Sequence, residues 1–484
     1  MKQIFFFFLF PIILCVSCSS SQTFDDAIFA KYGIFDTDGI KPEEYHQRRA
    51  KVMAKMDSGS IAILRANDPC NRNGDTDYKF RQNDNFLYLT GCNETNSTLI
   101  LVPDGVLIDS ITIAKEILFV QDSPKRWTGK NLGVEGAKEI LGFGAEGTAS
   151  IALAGNKLKD ILSKALESNT ILYYSPLSTA IFDPVSDMNF IITDEIKKVL
   201  EEKYPNHTMR SSDLLVHDLR AVKSPTELVL MQKAIDATAA GYIETMKSCE
   251  QGMYEYELQA VIEYCFTRSG CEYYGFPSII GSGRNALFFH YDANRRQMKN
   301  GDLVVMDIGA EYHGYTADVT RTIPVNGKFS PEQKEIYEIV LSAQDSAFKQ
   351  VKPGIMMGKS GEKAIEVIGK GLEKLGIIKD KNEAKKYCPH GISHFIGLAV
   401  HDVGPMGKLG PGMVITIEPG IYIPDSSNCS KKYWGIGIRI EDDVLVTENG
   451  CEVLSKAAPK NVAEIEKLMK QNGIGNVEKM ESRR

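Results

Sequence analysis

Four apolar, strand-like stretches in the second half of this 484-residue chain are each interrupted or closed by a carboxylate. Asp307 follows Val-Val-Met, Asp318 follows Tyr-Thr-Ala, Glu418 follows Ile-Thr-Ile, and Glu441 follows Ile-Arg-Ile. An ionised carboxylate removed from water is costly unless it is paired or bound to a cation. One such case is ordinarily a salt bridge or an exposed strand end. Four in one domain point to a shared cation site, and any fold for this chain has to bring them together. Four carboxylates carry about the charge that two divalent ions neutralise, so two metals sharing bridging carboxylates and a hydroxide balance the set. Oxygen ligands with one histidine are a hard set that suits Mn²⁺, and no cysteine stands at a ligand-like spacing. Histidine is scarce, eight in the chain, yet His390, His394 and His401 fall within twelve residues, framed by glycines and apolar residues. One alone would read as a structural histidine. Three together read as the wall of a site, with His290 in Asn285-Ala-Leu-Phe-Phe-His290-Tyr291 as a fourth candidate.

The length exceeds one ordinary core and predicts two or three domains. Over residues 24–215, short apolar runs alternate with helical patterns. Ser60–Leu64, Thr98–Val102, Glu116–Val120 and Thr170–Tyr174 read as strands, and Gly147–Leu166 and Asp194–Lys203 as helices. This is an α/β domain without a phosphate-cradling glycine loop. A boundary lies near Leu219–Lys223, and a second domain covers 220–470. Ser224-Pro225-Thr226-Glu227 and Ser330-Pro331-Glu332-Gln333 each combine an N-cap serine, a proline at the first helical position and a capping-box partner, so each opens a long helix. Asp302–Gly309, Tyr315–Pro324, Gly412–Glu418 and Gly435–Glu441 read as β-structure, giving an α+β domain with mainly antiparallel strands. The polar residues 473–484 read as a frayed tail.

A net charge of -7 without a dense Lys/Arg cluster argues against nucleic acid as a partner. The first residues form a targeting segment: Lys2, then an apolar run Ile4–Val16 broken by Pro11, too short to span a bilayer. Residues 1–17 read as a signal peptide. Ser17 before Cys18 resembles a bacterial lipoprotein cleavage site, with Cys15 standing where Leu is usual. The expectation is an exported protein, a periplasmic or outer-membrane lipoprotein of a bacterium with a lipid anchor at Cys18. Of ten cysteines, eight lie beyond Cys18; the even number allows disulfides, and buried free thiols are the alternative.

Asp307 and Asp318 eleven residues apart, His394 in its glycine-framed run, Glu418-Pro-Gly, and Arg439-Ile-Glu441-Asp442 are similar to the metal-site sequence of the pita-bread (M24) metallopeptidases. The run His390–Asp402 fits the proline-peptidase signature of that family at every position. Phe80–Gly91 resembles the N-terminal domain of its aminopeptidase P branch, and the resemblance extends from about residue 40 to 470. It implies a creatinase-like α/β N-terminal domain and an α+β pita-bread catalytic domain. It implies two divalent metal ions, Mn²⁺ by expectation and Zn²⁺ or Co²⁺ as alternatives. Asp307 would chelate one ion, Asp318 and Glu441 would bridge both, and His394 and Glu418 would complete the other. His290, His390 and His401 match the family's extra active-site histidines, and Tyr422 and Arg439 its supporting residues.

The activity implied is removal of an N-terminal residue from peptides with proline at the second position, by an enzyme that forms dimers or tetramers. The bond before proline is a tertiary amide with no N–H for an enzyme to align, and a metal pair needs no such handle. By the family's analogy a metal-bridging hydroxide attacks the carbonyl and Glu418 takes its proton. His401 donates to the carbonyl oxygen, and His290 contacts substrate or relays a proton to the leaving nitrogen. His390 orients its neighbours. A prolidase, which cuts only Xaa-Pro dipeptides, shares the metal set and stays open as an alternative. Arg81-Gln82 and Arg126–Gly133 favour the aminopeptidase. The complete ligand set disfavours a catalytically inactive peptide-binding relative.

Overall fold

The apolar runs of the N-terminal half assemble into one mixed sheet. The computed structural model describes residues 31–32, 34, 36–121, 132–174, 202–405 and 407–476. The signal segment, Cys18, positions 126–131 and 477–484, and all but the end of the helix expected over 194–203 lie outside the described residues. Strands β1 (Ser60–Arg65), β2 (Thr98–Leu107), β3 (Ile113–Val120), β4 (Ser150–Ala154), β5 (Ile171–Tyr174) and β6 (Thr208–Arg210) lie in the order β4-β3-β2-β1-β5-β6. The β1–β2 and β2–β3 pairs are antiparallel and the outer pairs parallel. The helix expected over 147–166 is a correction: its first part is β4, and a helix starts only at Leu158. A short apolar run fits either period. Parallel pairing of Ser150–Ala154 with Glu116–Val120 decides for strand.

Helices α1 (Pro42–Met53), α2 (Asp84–Thr90) and α3 (Leu158–Ser168) belong to this half. Helix α1 delivers Arg49, fully buried, to Glu116 on β3: Nε donates to Oε2 at 2.7 Å, and Nη1 donates to the Leu89 carbonyl at 2.8 Å. The guanidinium also sits 4.2 Å over the Phe143 ring.

The C-terminal half is α+β with antiparallel strands. Helix α4 (Pro225–Ser248) begins at the Ser224–Glu227 capping box and packs on α5 (Glu255–Arg268). Strands β7 (Ile279–Ser282), β8 (Leu303–Ile308) and β9 (Val319–Pro324) form one three-stranded sheet. Helix α6 (Pro331–Phe348) starts at the Ser330–Gln333 capping box and packs on α7 (Gly358–Lys374). Then β10 (Val414–Ile417), β13 (Asp442–Val446) and β14 (Cys451–Val453) form a second sheet, ordered β10-β13-β14. Strands β11 (Gly420–Ile423) and β12 (Ile436–Arg439) form a ribbon. The Tyr242 hydroxyl, on α4, donates toward the Met306 and Val319 carbonyls at 2.8 and 2.7 Å, fixing that helix against β8 and β9. Gly309 permits the chain to double back after β8. A Cβ there would lie 1.8 Å from the Ala317 carbonyl oxygen.

All eight described cysteines are free thiols, five of them buried. No helix among the described residues is long and apolar enough to cross a membrane.

Removing one partner of a buried ion pair leaves the other charge uncompensated. Arg49→Ala should therefore lower the unfolding free energy by about 3–5 kcal/mol. Urea denaturation checks this: the midpoint should fall with the slope unchanged.

Candidate metal centre and its surroundings

The two three-stranded sheets and the β11–β12 ribbon point their acidic positions at one place. Asp307 sits near the end of β8, opposite Ile279 on β7 and Thr320 on β9. Asp318 immediately precedes β9, and Glu418 immediately follows β10. Glu441 lies between β12 and β13, where its amide donates to the Thr320 carbonyl at 3.0 Å. His394 runs beside β10, its amide and carbonyl both tied to Thr416.

Side chains converge accordingly. His394 Nε2 lies 3.3 Å from Asp318 Oδ2 and 3.5 Å from Glu418 Oε1. Asp318, His394 and Glu441 each present a ligand atom within 4.8 Å of the others. Asp307 adjoins Asp318, and its Oδ2 accepts from Arg439 Nη2 at 2.7 Å. Asp318 and Glu441 are only 4% and 2% exposed. Oδ1 of Asp307 and Oδ1 of Asp318 are buried without a hydrogen-bond partner. Buried carboxylate oxygens without a donor fit a bound cation.

Proton affinities carry the same message. Burial, then neighbouring carboxylates, hold Asp318 and Glu441 well above the usual carboxylate range. Burial pushes Glu418 up to about 7, against the pull of His394 and Arg439. Burial also pushes Asp443, whose Oδ2 accepts the Asp318 amide at 3.1 Å, up to about 8. Arg439 is the guanidinium that touches this cluster, and one positive charge does not balance four carboxylates. Two divalent cations would.

A second group of residues borders the ligand cluster. Arg439 Nη1 donates to the Tyr422 hydroxyl at 3.0 Å, and His390 Nε2 lies 3.0 Å from the same hydroxyl. Arg439 Nε donates to Thr320 Oγ1 at 3.1 Å, and that hydroxyl donates to Glu441 Oε2 at 2.6 Å. His401 is exposed, with its ring centroid 4.3 Å from that of His394. His290 is exposed at the rim, near enough for its charge to disfavour protonation of both His390 and His401. Desolvation, with Arg439 second, lowers His390 to about 4. Partial desolvation, with His394 and His290, lowers His401 to about 4. Every site residue expected from the sequence therefore lies in or beside one site.

Four contributors were not legible in the sequence. Thr320 links Arg439 to Glu441, Asp443 holds the Asp318 amide, and Phe289 packs on His390 and Tyr422 at ring-centroid distances of 5.3 and 4.8 Å. Glu255, fully buried at the start of α5, accepts from Ser282, Asn285, Tyr291 and the Arg296 amide, and so orders the loop that carries His290. An acid in the first turn of a helix ordinarily means no more than a favourable dipole interaction. The Glu418–Asp307 cluster had a pattern; these residues had none.

Residues 229–448 match Metallopeptidase family M24, and residues 45–173 match the aminopeptidase P N-terminal domain. The Xaa-Pro aminopeptidase of Escherichia coli (strain K12) is 36% identical over 449 residues, covering 89% of this chain and 98% of that one. The structure of Pseudomonas aeruginosa aminopeptidase PepP aligns with a TM-score of 0.79 at 37% identity, covering 89% of this chain and 98% of that one. Zinc-substituted Escherichia coli aminopeptidase P in complex with product aligns with a TM-score of 0.78 at 35% identity, covering 89% and 99%. The pita-bread fold and its ligand cluster place the chain in metallopeptidase family M24. Both domains and the full-length relatives narrow this: the chain belongs to the Xaa-Pro aminopeptidases, the aminopeptidase P branch of that family.

The metal-free site has a pH signature. Glu418 releases its proton near 4.5 when unfolded and near 7 when folded, so over that window the folded state holds the extra proton. Stability of the metal-free protein therefore falls as pH rises through the window, and the penalty is complete above it. Bound cations remove the penalty. The increase in Tm on replacing chelator with Mn²⁺ should be small near ~pH 5 and large near ~pH 8, since ligands must be deprotonated to bind metal. Calorimetry at both pH values checks this; an increment independent of pH contradicts it.

Proposed function

We propose that this chain hydrolyses the peptide bond between an N-terminal residue and a following proline, in peptides longer than two residues. The observation that carries the reading is the convergence of Asp307, Asp318, His394, Glu418 and Glu441, with unpartnered buried oxygens, beside the exposed His290 and His401. Those five side chains would hold two divalent ions, Mn²⁺ by the hardness of the donors. When bound, such ions supply a water acidic enough to attack near neutral pH and a Lewis acid for the carbonyl.

The chain's own groups do the rest. Glu418, buried beside His394, accepts the proton of the attacking water and can return it. His401 stays neutral at pH 7 and donates through one ring N–H to the carbonyl oxygen as its charge grows. The proline nitrogen leaves as an amine and needs a proton; exposed His290 would relay it or contact the substrate. His390 and Arg439 hold the Tyr422 hydroxyl from two sides and so fix that wall of the site. The N-terminal domain match favours an aminopeptidase over a prolidase. The apolar segment and Cys18 support export and lipidation; mass spectrometry of the mature N-terminus tests this.

Purified mature protein with Mn²⁺ should cleave Xaa-Pro-Yaa, lose that activity with chelator, and leave a matched Xaa-Ala-Yaa peptide intact. Cleavage of the Xaa-Pro dipeptide alone would make it a prolidase, and no cleavage with any metal would defeat the peptidase reading. Asp307→Ala and His394→Ala should lose metal and activity together. His401→Ala should keep its metal and lose kcat by roughly 10²-fold or more. Equal metal loss in all three variants would defeat the role given to His401.

A further inference from the structure

The ligand cluster does not explain why the hairpin that carries His394 and His401 is tied so firmly from behind. Phe395 and Asp402 pair across it, with the Asp402 amide donating to the Phe395 carbonyl at 2.8 Å. Neighbouring residues of an extended segment point to opposite faces. His401 accordingly packs against His394, while Asp402 points away from the site. There it meets two cations: Arg220 Nη2 at 2.5 Å from Oδ1, and Lys223 Nζ at 3.3 Å from Oδ2. All three side chains are buried, at 1%, 5% and 1% exposure for Asp402, Arg220 and Lys223.

The cations belong to the segment that joins the two halves, and they continue into the N-terminal half. Arg220 Nη1 donates to Asn85 Oδ1 at 2.7 Å and Nη2 to Asp84 Oδ2 at 3.2 Å, both on α2. Arg81, just ahead of α2, donates from Nη1 to Asp84 at 2.7 Å and from Nε to Glu311 at 2.8 Å. Its Nη2 donates to the Leu398 carbonyl at the tip of the same hairpin. Gly397 lies directly on this assembly. A Cβ there would sit 2.2 Å from Asp402 Oδ2 and 2.8 Å from Lys223 Cε. The hairpin is thus held at its base by buried Asp402, Arg220 and Lys223 and at its tip by the part-exposed Arg81, a charge network anchored in the other domain, with no space for a side chain at Gly397.

We propose that Asp402 is a positioning residue for His401, and that the N-terminal domain acts in catalysis by clamping the Phe395–Asp402 hairpin through Arg81, Asp84, Asn85, Arg220 and Lys223. The inference rests on the role given to His401 above. Its chemistry is geometric: a donor displaced by about 1 Å from a developing oxyanion loses about 10²-fold in rate. A buried network with fixed partners is what holds a rim residue to that tolerance.

A kinetic cycle on full-length, Mn²⁺-loaded protein with a Xaa-Pro-Yaa peptide tests the clamp. Asp402→Asn and His401→Ala are made singly and together. In a second set Lys223→Met accompanies Asp402→Asn, so that buried charge stays balanced and folding is kept. Asp402→Asn should lower kcat about 10- to 100-fold with KM and bound metal unchanged, and should cost nothing further when residue 401 is already alanine. Asp84→Asn, which loosens Arg220 from the N-terminal side, should give the same kcat-only loss in smaller measure. Metal content falling in step with kcat, losses that multiply in the double variant, or an unaltered kcat in Asp84→Asn would overturn the clamp while leaving the peptidase reading intact. An undiminished kcat in His401→Ala alone would overturn the role of His401, and the clamp with it.

Discussion

Repulsion among Asp307, Asp318, Glu418 and Glu441 is the constraint around which the C-terminal half is organised. Four acids in a buried space are unfavourable without cations, yet the strands deliver them there by register. Asp307 is set by pairing with β7 and β9, Glu441 by its bridge to Thr320, and Glu418 by following the last residue of β10. Arg439 compensates part of the charge, and its orientation is itself fixed by Thr320 and Tyr422. The remaining charge is what makes the site a cation site. The cluster pushes protons onto its acids when no metal is present, and each of those protons competes with metal.

Around the acids the imidazoles behave in the opposite sense. Desolvation lowers His390 and His401, while burial raises Glu418. One environment therefore keeps the imidazoles neutral as hydrogen-bond donors and, without metal, favours the protonated form of the carboxylate. That division suits cleavage before proline, where the substrate offers no amide N–H and the leaving nitrogen needs a proton. Phe289 adds an apolar face against His390 and Tyr422, on a loop ordered by the buried Glu255.

The two halves are joined by buried ion pairs rather than by apolar contact alone. Arg48 on α1 reaches Glu227 at the start of α4 at 3.1 Å, and the Tyr315 hydroxyl donates to the same carboxylate at 2.9 Å. Arg81 reaches Glu311, and Arg220 spans from α2 to Asp402. Such pairs add less stability than apolar packing would, but they accept few alternative arrangements. They tie the N-terminal domain directly to the hairpin that follows His394.

Much of this was legible before any coordinates. The two proline-led capping boxes open the helices they announced, the apolar runs are strands within a few residues, and the five acid and imidazole positions converge. These are local or strongly patterned signals: a cap satisfies orphan amides in its own turn, and an acid in an apolar run is conspicuous wherever it falls. The strand at Ser150–Ala154 was not legible, because its identity depends on β3 lying beside it. Nor were Thr320, Asp443 and Glu255, or the partnership of Asp402 with Arg220, since a polar residue shows its role only through the partner that folding brings to it. The sequence by itself therefore determined which acids and histidines stand out and where the two long helices open. Only the tertiary structure decided which buried groups hold them in place, because hydrogen bonds and ion pairs between residues more than a hundred positions apart leave no periodicity to read.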